Sequence, residues 1–333
     1  MLGHFPDRTP DSFELLSPLL SDAGYDCRAA SFQGNRYLRA LDLTSFPIRQ
    51  RPRADIALVN TYSGRSFVVE DAVFEACRSM RLPTVAFLSG GALPQFVDRH
   101  PRWARRVLRR PSAIVAPSEY LASLMGERGY QVVVIPNTLD VASYRFRAIG
   151  SVRPRLLWMR AFYRAYNPGM AIRVLKELVL GGVDASLTIA GQDMGLESST
   201  KRLARALSVH DRVRFVGFLD EEAKRAAFAD HDVLLNTNRV DNMPITLLEA
   251  GASGVPIVAT EVGGIPFLWT HEESALLVPT EDAAAMAREV ARLVEHPELA
   301  ARVARGAQQI AHRSAPDRVI PLWSDLIESL VAT

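Results

Sequence analysis

The sequence predicts an α/β protein made of two Rossmann-like halves, each a parallel sheet covered by helices. Short apolar runs that suit buried strands recur along the chain, and most of them end in polar or glycine-containing loops. Helix-length segments separate these runs, and alternation of strand and helix is the order that builds parallel sheets. At 333 residues the chain is long enough for two domains, each with a core of its own.

The first half contains four apolar runs that we interpret as strands, at 56–59, 84–88, 114–116 and 132–135. Helices are expected to cover this sheet at 66–80 and 118–128. An earlier helix is expected to begin at Ser12, which can cap it, and to end at Gly24. Pro18 would bend this helix or break it in two.

The second half contains six apolar runs of the same kind, at 155–159, 187–190, 213–216, 233–235, 257–259 and 275–278. Helices are expected to alternate with them and to follow them, at 197–208, 220–229, 283–294, 297–311 and 320–330. In such a sheet the carboxyl ends of the strands lie at one edge, where ligands bind.

The stretch from Asn236 to Pro266 combines the features that point to such a ligand. Asp241 and Pro244 suit the start of a helix, and Glu249 lies about two turns further along if Asp241 marks that start. Gly263-Gly264 opens the loop after the next strand. Taken singly, these residues are better explained by a solvated helix and a chain-reversing turn. Together, two carboxylates and the free amides of a helix start favour a ligand with hydroxyls and a phosphate.

This stretch resembles the nucleotide-sugar site of the retaining GT-B glycosyltransferases of family 4, the glycosyl transferases group 1. That family carries two glutamates separated by seven residues, and Asp241 and Glu249 stand in these positions. The resemblance runs from about residue 3 to 330 and implies two Rossmann-like domains facing across a cleft. The implied parts are an acceptor domain with a shortened first strand, a nucleotide-sugar domain, and a C-terminal helix that crosses back to the first domain, at 1–150, 151–315 and 316–333.

The resemblance also implies a reaction, the transfer of a sugar from a nucleotide-diphosphate sugar to a hydroxyl with retention at the anomeric carbon. A role in polysaccharide or glycoconjugate synthesis would follow, with a sugar or a lipid-linked glycan as the acceptor. Such enzymes generally need no bound metal or other cofactor, and we find no motif that argues for one.

Arg160 would stabilise the charge that grows on the leaving diphosphate, and Arg164 could add to it. The other donor-side residues would be Asp241, Asn242 and Met243 for the sugar hydroxyls, Glu249 for the ribose, Gly217 for the base, and Gly263 and Gly264 along the same cleft.

Two positions depart from the family pattern. Similar proteins commonly carry His-Gly-Gly where this chain has Ser89-Gly90-Gly91, and a serine cannot supply the positive charge that a histidine can. A lysine expected six residues after Arg160 is replaced by Tyr166. On the acceptor side the resemblance implicates Gly3, His4, Gly90 and Gly91. We expect Ser89 to act with Asp241 and Arg160 in catalysis, but the departures leave a second reading open, a catalytically weak, glycosyltransferase-like binding protein.

A basic segment at 99–110 contains six arginines. From Pro101 onward, Trp103, Val107 and Leu108 share one helical face, a pattern that suits contact with a membrane surface or an anionic acceptor. The alternative, which we slightly favour, is a surface helix whose apolar side chains pack on the core. Nucleic-acid binding is not expected, because the aromatic residues do not interleave with the arginines as stacking platforms.

Composition and termini restrict the compartment and exclude other classes of protein. Cys27 and Cys77 are too few for a disulfide framework, the first residues lack the pattern of a signal peptide, and no apolar run reaches the length of a membrane span. We therefore expect a cytoplasmic protein, peripheral at the inner membrane face if the basic segment binds lipid. A dehydrogenase is disfavoured because no G-x-G-x-x-G follows an early strand, and a sugar-nucleotide epimerase because no acid and base are paired for it.

Overall fold

A computed structural model describes residues 15–30 and 35–332, which form two compact units. The segments Met1–Thr138 and Ala315–Thr333 make up unit 1, and Leu139–Ser314 makes up unit 2. The division thus precedes residues 139–150, which the sequence analysis placed in the first domain. These residues are bonded to unit 2, because the Arg147 amide donates to the Ser253 carbonyl at 3.0 Å and Arg147 Nη2 lies 3.0 Å from Asp232 Oδ1.

Within the described residues, unit 1 contains a parallel sheet of four strands in the order β1-β2-β3-β4. The strands are β1 Ala57–Thr61, β2 Thr84–Leu88, β3 Ala113–Ala116 and β4 Val133–Val134. β4 is shorter than the apolar run that predicted it. The shortened strand expected over residues 1–6 and the Ser12 cap lie outside the described residues.

The described part of unit 1 before residue 139 also contains six helices, α1 Leu16–Asp22, α2 Arg36–Gln50, α3 Phe67–Ser79, α4 Leu93–Arg99, α5 Pro101–Leu108 and α6 Glu119–Gly126. The sequence analysis did not predict α2, which contains Pro47. The chain breaks between α4 and α5 at His100, where φ is −130° and ψ is 52°. A following proline disfavours helical backbone at the residue before it, so Pro101 accounts for the break.

Each face of the unit 1 sheet packs into its own cluster of apolar side chains. Alternate residues of β2 point to opposite faces, so Val85 and Phe87 join one cluster while Ala86 and Leu88 join the other. The second cluster contains the buried aromatic rings of α3, Phe67 and Phe74 among them. The sheet is therefore covered on both sides, as parallel sheets require.

Unit 2 contains a parallel sheet of six strands in the order β10-β9-β8-β5-β6-β7. The strands are β5 Arg155–Met159, β6 Ser186–Ala190, β7 Val213–Gly217, β8 Val233–Asn236, β9 Ile257–Thr260 and β10 Leu276–Val278. The chain adds β6 and β7 on one side of β5, then returns to place β8 on the other side. This is the doubly wound order of a Rossmann fold, and its direction reverses between β5 and β8.

Seven helices of unit 2 alternate with these strands or follow them, α7 Pro168–Leu180, α8 Glu197–Ala206, α9 Glu221–Asp230, α10 Ile245–Ser253, α11 Ile265–Leu268, α12 Ala283–Glu295 and α13 Pro297–Arg313. The core is built from nearly continuous apolar strands, with Leu156 and Trp158 of β5 fully buried at its centre. Met170 and Leu175 of α7 and Val290 of α12 pack against them.

The last helix, α14 Pro316–Val331, belongs to unit 1 although unit 2 precedes it in the chain. Its buried side chains Val319, Trp323 and Ile327 join the first cluster of unit 1, and the Trp323 ring lies 5.9 Å from that of Phe87 in β2. The expected return of the C-terminal helix to the first unit is thus confirmed.

Candidate functional site

The loops after β5 and β8 of unit 2 meet where the strand order reverses. Thr237 holds them together, because its buried hydroxyl lies 2.8 Å from the Tyr166 carbonyl oxygen and accepts the indole N–H of Trp158 at 2.8 Å. The Thr260 hydroxyl at the end of β9 donates to the Asn238 carbonyl at 2.6 Å and fixes the same loop from the other side. Hydrogen bonds therefore hold together the loops at the edge expected to bind a ligand, and we call these loops the platform.

Arg160 and Asp241, two of the predicted catalytic residues, form an ion pair on this platform. Arg160 Nη2 lies 2.6 Å from Asp241 Oδ2, and the side chains are 19% and 11% exposed. Asp241 also accepts the Asn238 side-chain amide at 2.6 Å and the Asn242 backbone amide at 2.8 Å. Its carboxylate is therefore fixed by neighbours on both oxygens, and it orients the guanidinium.

Tyr166, which stands where the family carries a lysine, packs its ring under the same guanidinium. Arg160 Cζ lies 4.1 Å from the ring centroid, a cation–π contact. Arg160 Nε is buried and has no hydrogen-bond partner. The arginine is thus held from below by Tyr166 and from one end by Asp241, with an N–H donor unused. This stacking depends on the turn at 164–166 and was not predicted from the sequence.

The helix that follows Asp241 begins later than the sequence analysis expected. α10 starts at Ile245, with Pro244 before it and no side chain capping its first amides. Asp241 lies in the preceding loop, so Glu249 is in the middle of a nine-residue helix rather than two turns from an Asp241 cap. α10 ends before Gly254, which adopts the left-handed conformation with φ of 74°.

Gly263 and Gly264 lie against the backbone of the Asp241 loop. A Cβ at Gly263 would lie 1.9 Å from the Asp241 carbonyl oxygen, and one at Gly264 would lie 1.9 Å from that of Asn242. The Gly264 amide donates to the Asp241 carbonyl at 3.0 Å. Only glycine permits this approach, so the two loops that the sequence analysis paired are brought into direct contact.

Glu249 is buried in unit 2 and holds an ion pair that the sequence analysis did not foresee. Its Oε1 accepts Lys224 Nζ of α9 at 2.8 Å and the Tyr144 hydroxyl at 3.0 Å, while its Oε2 is buried without a partner. Burial alone would lower the pKa of Lys224, but the carboxylates of Glu249 and Glu221 outweigh it and raise that pKa. Burial also raises the pKa of Tyr144, with Glu249 adding to the effect, so its hydroxyl stays a donor.

The remaining donor-side candidates lie in the same unit but differ in exposure. Asn242 and Met243 are buried beside Asp241, and Gly217 ends β7 with φ of 73°. Arg164 has an exposed side chain, and its carbonyl accepts Nη1 of Arg239 at 2.5 Å. No contact in the structure joins the Arg164 guanidinium to the Arg160–Asp241 pair.

Three candidates of unit 1 lie at the end of β2, Ser89 for catalysis and Gly90 and Gly91 for the acceptor side. The Ser89 hydroxyl donates to Asn60 Oδ1, and the Ser89 amide donates to the Thr61 carbonyl at 2.9 Å. Gly90 follows with φ of 83°, and Gly91 leads toward α4. Gly3 and His4 lie outside the described residues.

Glu70 of α3 is a further buried carboxyl near this edge that the sequence analysis missed. Its Oε1 accepts the Tyr62 amide at 3.0 Å, and its Oε2 is buried without a partner. Burial raises its pKa from 4.5 to about 8. A single glutamate in a helical segment gives no signal of such burial.

The basic segment at 99–110 uses its apolar face inside unit 1. Ala104, Val107 and Leu108 are buried, and the Trp103 indole donates to Asp71 Oδ2 at 2.8 Å. Asp71 also forms ion pairs with Arg106 and Arg110 of the same segment. The alternative that the sequence analysis favoured, packing on the core, describes this helix, and its apolar face is not free to enter a membrane.

The described residues fall in two ranges, 15–30 and 35–332. Neither range contains a helix both long and apolar enough to span a bilayer. The same residues include no group of three or more His, Cys, Asp and Glu side chains placed to hold a metal ion.

Comparison with solved structures identifies the class of protein, a GT-B glycosyltransferase fold. The chain matches sucrose-phosphate synthase from Thermosynechococcus elongatus with a TM-score of 0.79 and 16% identity, over 96% of this chain and 92% of that chain. It matches the Anabaena protein HepE in complex with UDP with a TM-score of 0.75 and 18% identity, over 91% of this chain and 86% of that chain.

Residues 146–310 of the chain belong to the family described as Glycosyl transferases group 1. D-inositol 3-phosphate glycosyltransferase from Salinispora tropica is 30% identical over 248 residues, 71% of this chain and 48% of that protein. Glycogen synthase from Mycobacterium tuberculosis is 28% identical over 233 residues, 66% of this chain and 53% of that protein. The chain thus spans about half the length of these curated relatives.

Proposed function

We propose that this protein is a retaining glycosyltransferase that moves a hexosyl group from a nucleotide-diphosphate sugar to a hydroxyl acceptor in polysaccharide or glycoconjugate synthesis. The observation that carries the proposal is the Arg160–Asp241 pair at the point where the strand order of unit 2 reverses. Ligands of doubly wound sheets bind at that point. Membership of the family supports the reaction class, and the UDP complex of the Anabaena protein supports a nucleotide donor.

The proposed chemistry rests on charge that develops when the sugar–phosphate bond breaks. The diphosphate gains negative charge, and donors that are already aimed at it lower the barrier because they need no reorganisation. Arg160 supplies an oriented guanidinium whose Nε is unused, and the uncapped amides at the start of α10 supply further donors. Arg164 is a secondary candidate for the same charge.

Asp241 is proposed to accept hydroxyls of the transferred sugar, helped by the Asn242 and Met243 loop, while Glu249 binds the ribose and Gly217 lies beside the base. Attack by the acceptor on the same face as the leaving group gives retention without a protein nucleophile, and we assign none. On unit 1, Gly90 and Gly91 are proposed as acceptor-side groups, and Ser89 is proposed as a catalytic group. Ser89 would contribute a hydrogen bond and no charge.

Binding is tested by calorimetry and thermal shift on the full chain with UDP, GDP, ADP and their glucose conjugates. A ligand that binds only the folded state stabilises it by about 2.7 kcal/mol when the ligand concentration is a hundred times Kd, and the melting temperature rises as a result. Arg160→Gln should weaken binding about 10- to 150-fold, the range for a lost hydrogen bond to a charged group. Arg288→Gln, an exposed arginine on α12, is the matched control. If no nucleotide binds the wild type, the proposal is wrong.

Stereochemistry and the absence of a metal requirement need a second assay. The donor sugar released to water or to an alcohol acceptor is followed by proton NMR, and retention predicts that the first anomer to form has the configuration of the donor. Activity should survive a chelator. Initial formation of the opposite anomer would refute the retaining assignment, and loss of activity on chelation would refute the metal-free one.

A catalytically weak binding protein remains the second candidate. It is favoured by Ser89 in place of a histidine and by the engagement of its hydroxyl with Asn60. Under this alternative the nucleotide screen gives a shift but neither transfer nor hydrolysis of the sugar occurs. Replacement of Ser89 by His would then be informative, since a gain of hydrolysis would locate the missing charge.

A further inference from the structure

Glu249 presents one satisfied and one unsatisfied carboxylate oxygen in a setting that excludes water. The residue is 2% exposed. Its Oε1 accepts Lys224 Nζ at 2.8 Å and the Tyr144 hydroxyl at 3.0 Å. Its Oε2 is buried and has no partner. Buried polar atoms are almost always hydrogen-bonded, so this oxygen calls for a partner that is not part of the chain.

Lys224 is an unusual neighbour for such a group. It projects from the second turn of α9 and is itself buried, with only 8% of its side chain exposed. Its ammonium also lies 2.6 Å from Glu221, whose side chain is half exposed. Lys224 could pair with the exposed Glu221 carboxylate without being buried itself. Its burial is therefore explained by the contact with Glu249.

We propose that Lys224 is a positioning residue for the ribose of the donor nucleotide. With Tyr144 it binds Oε1 of Glu249, which fixes the carboxylate plane and leaves Oε2 as the acceptor for a ribose hydroxyl. This inference rests on the proposed function, because it names how the ribose part of that donor site is held.

The chemistry of the contact explains why a cation is needed at this position. A ribose hydroxyl is a donor, and an ionised carboxylate is its strongest acceptor. A buried carboxyl without a cation favours its neutral form, which would itself donate. Lys224 places its ammonium 2.8 Å from Oε1, and Tyr144, whose pKa is raised by burial, donates to the same oxygen throughout the physiological range.

The place of Lys224 in the fold agrees with this role. α9 follows the loop that begins at Gly217, where the base is proposed to lie, and Asp220 caps the helix by accepting the Ala223 amide at 2.8 Å. Lys224 therefore joins the loop assigned to the base with the helix that carries Glu249. In a nucleotide the ribose is the part next to the base.

The test compares binding of UDP, 2′-deoxy-UDP and 3′-deoxy-UDP to the full chain by calorimetry, with the ADP or GDP series if that nucleotide binds instead. The wild type should prefer the ribonucleotide to at least one deoxy form by about 10- to 150-fold, the range for a hydrogen bond to a charged group. Lys224→Met should reduce this ratio to about 1- to 3-fold, and Lys224→Arg should keep most of it. Lys201→Met, which removes a surface lysine paired with Glu197 on α8, should leave the ratio unchanged.

Each outcome separates the inference from the function on which it rests. If Lys224→Met lowers the melting temperature but keeps the wild-type ratio, Lys224 only holds α9 to α10 and the inference is overturned alone. If the wild type binds no nucleotide of the UDP, ADP or GDP series, both are overturned. Should Lys224→Met fail to fold, Tyr144→Phe removes the other donor to Oε1 while its ring can still pack near Phe228. An unchanged ratio in that variant overturns the inference as well.

Discussion

Glu70 should make the stability of unit 1 depend on pH, and Glu70→Gln should remove that dependence. The carboxyl is 5% exposed, its Oε1 accepts the Tyr62 amide at 3.0 Å, and its Oε2 has no partner. Burial raises its pKa from 4.5 to about 8, although the Tyr62 hydrogen bond works in the opposite direction. The carboxyl is therefore neutral at pH 7 in the folded protein and ionised in the unfolded chain.

The direction and size of the effect follow from this difference. Between pH 4.5 and about 8 the unfolded chain has lost a proton that the folded chain keeps, so the free energy of unfolding falls as pH rises. One pKa unit corresponds to about 1.4 kcal/mol, so the loss is at most about 5 kcal/mol across the interval. Below pH 4.5 both states are protonated and the effect is absent.

Glutamine mimics the neutral carboxyl at every pH and keeps an oxygen for the Tyr62 amide. Urea unfolding of the wild type and Glu70→Gln at pH 5, 6, 7 and 8 gives the difference in stability, in which most other titrating groups cancel. The variant should gain on the wild type steadily from pH 5 to 8. Glu119→Gln, at an exposed position on α6, is the control and should give a constant difference. A constant difference for Glu70→Gln too would refute the reasoning.

Three further substitutions test the packing around the two sheets by calorimetry or urea unfolding. Gly264→Ala should destabilise unit 2 and weaken nucleotide binding, because its Cβ would lie 1.9 Å from the Asn242 carbonyl oxygen. Asp232→Asn should cost about 1.5–3 kcal/mol in the free energy of unfolding, because its carboxylate, 3% exposed, lies 2.7 Å from Arg155 Nε. Trp323→Ala should cost about 3–5 kcal/mol by opening a cavity between α14 and the unit 1 sheet.

Each of these changes has a matched control in the chain. Gly150→Ala adds a Cβ where no atom lies within 4 Å, Asp230→Asn removes an exposed carboxylate beside the buried one, and Leu322→Ala truncates a side chain of α14 that is 43% exposed. Equal effects in variant and control would contradict the packing described for that site.

The strands were predictable because parallel strands buried on both faces are nearly continuous apolar runs. The run at 84–88 matches β2, and the run at 155–159 matches β5. The order of the strands within the sheets could not be read from those runs, since each run has the same character. The order comes from the chain path and from which helices pack together.

The misses have local physical causes. α2 begins at the Asn35 cap, which accepts the Tyr37 amide at 2.9 Å, but it contains Pro47, a residue that argues against a helix when only the sequence is considered. The helix that begins at Pro101 was predicted, but α4 before it, which ends at Arg99, was not. The late start of α10 reflects hydrogen bonds of the Asp241 loop, which no single-segment pattern contains.

Some parts of the candidate site were also predictable from the sequence, and others were not. Arg160, Asp241 and the paired glycines were identified from residue type and spacing, and the structure brings them together in unit 2. The contacts of Lys224 with Glu249 and of Tyr166 with Arg160 were not, because they depend on which segments become neighbours. In both cases the missing information was a tertiary contact, not a motif.

The buried atoms left without partners give a physical reason to prefer a ligand site over a purely structural one. Arg160 Nε, Asn238 Oδ1, Thr246 Oγ1 and Glu249 Oε2 all lie on the β5 and β8 loops or on α10, and none has a hydrogen-bond partner. Each unsatisfied group costs about 1–3 kcal/mol in stability. Apolar side chains there would make a more stable fold. A ligand rich in hydroxyls and phosphate oxygens would supply the missing donors and acceptors together, which is why these atoms support nucleotide-sugar binding more strongly than any one motif residue does.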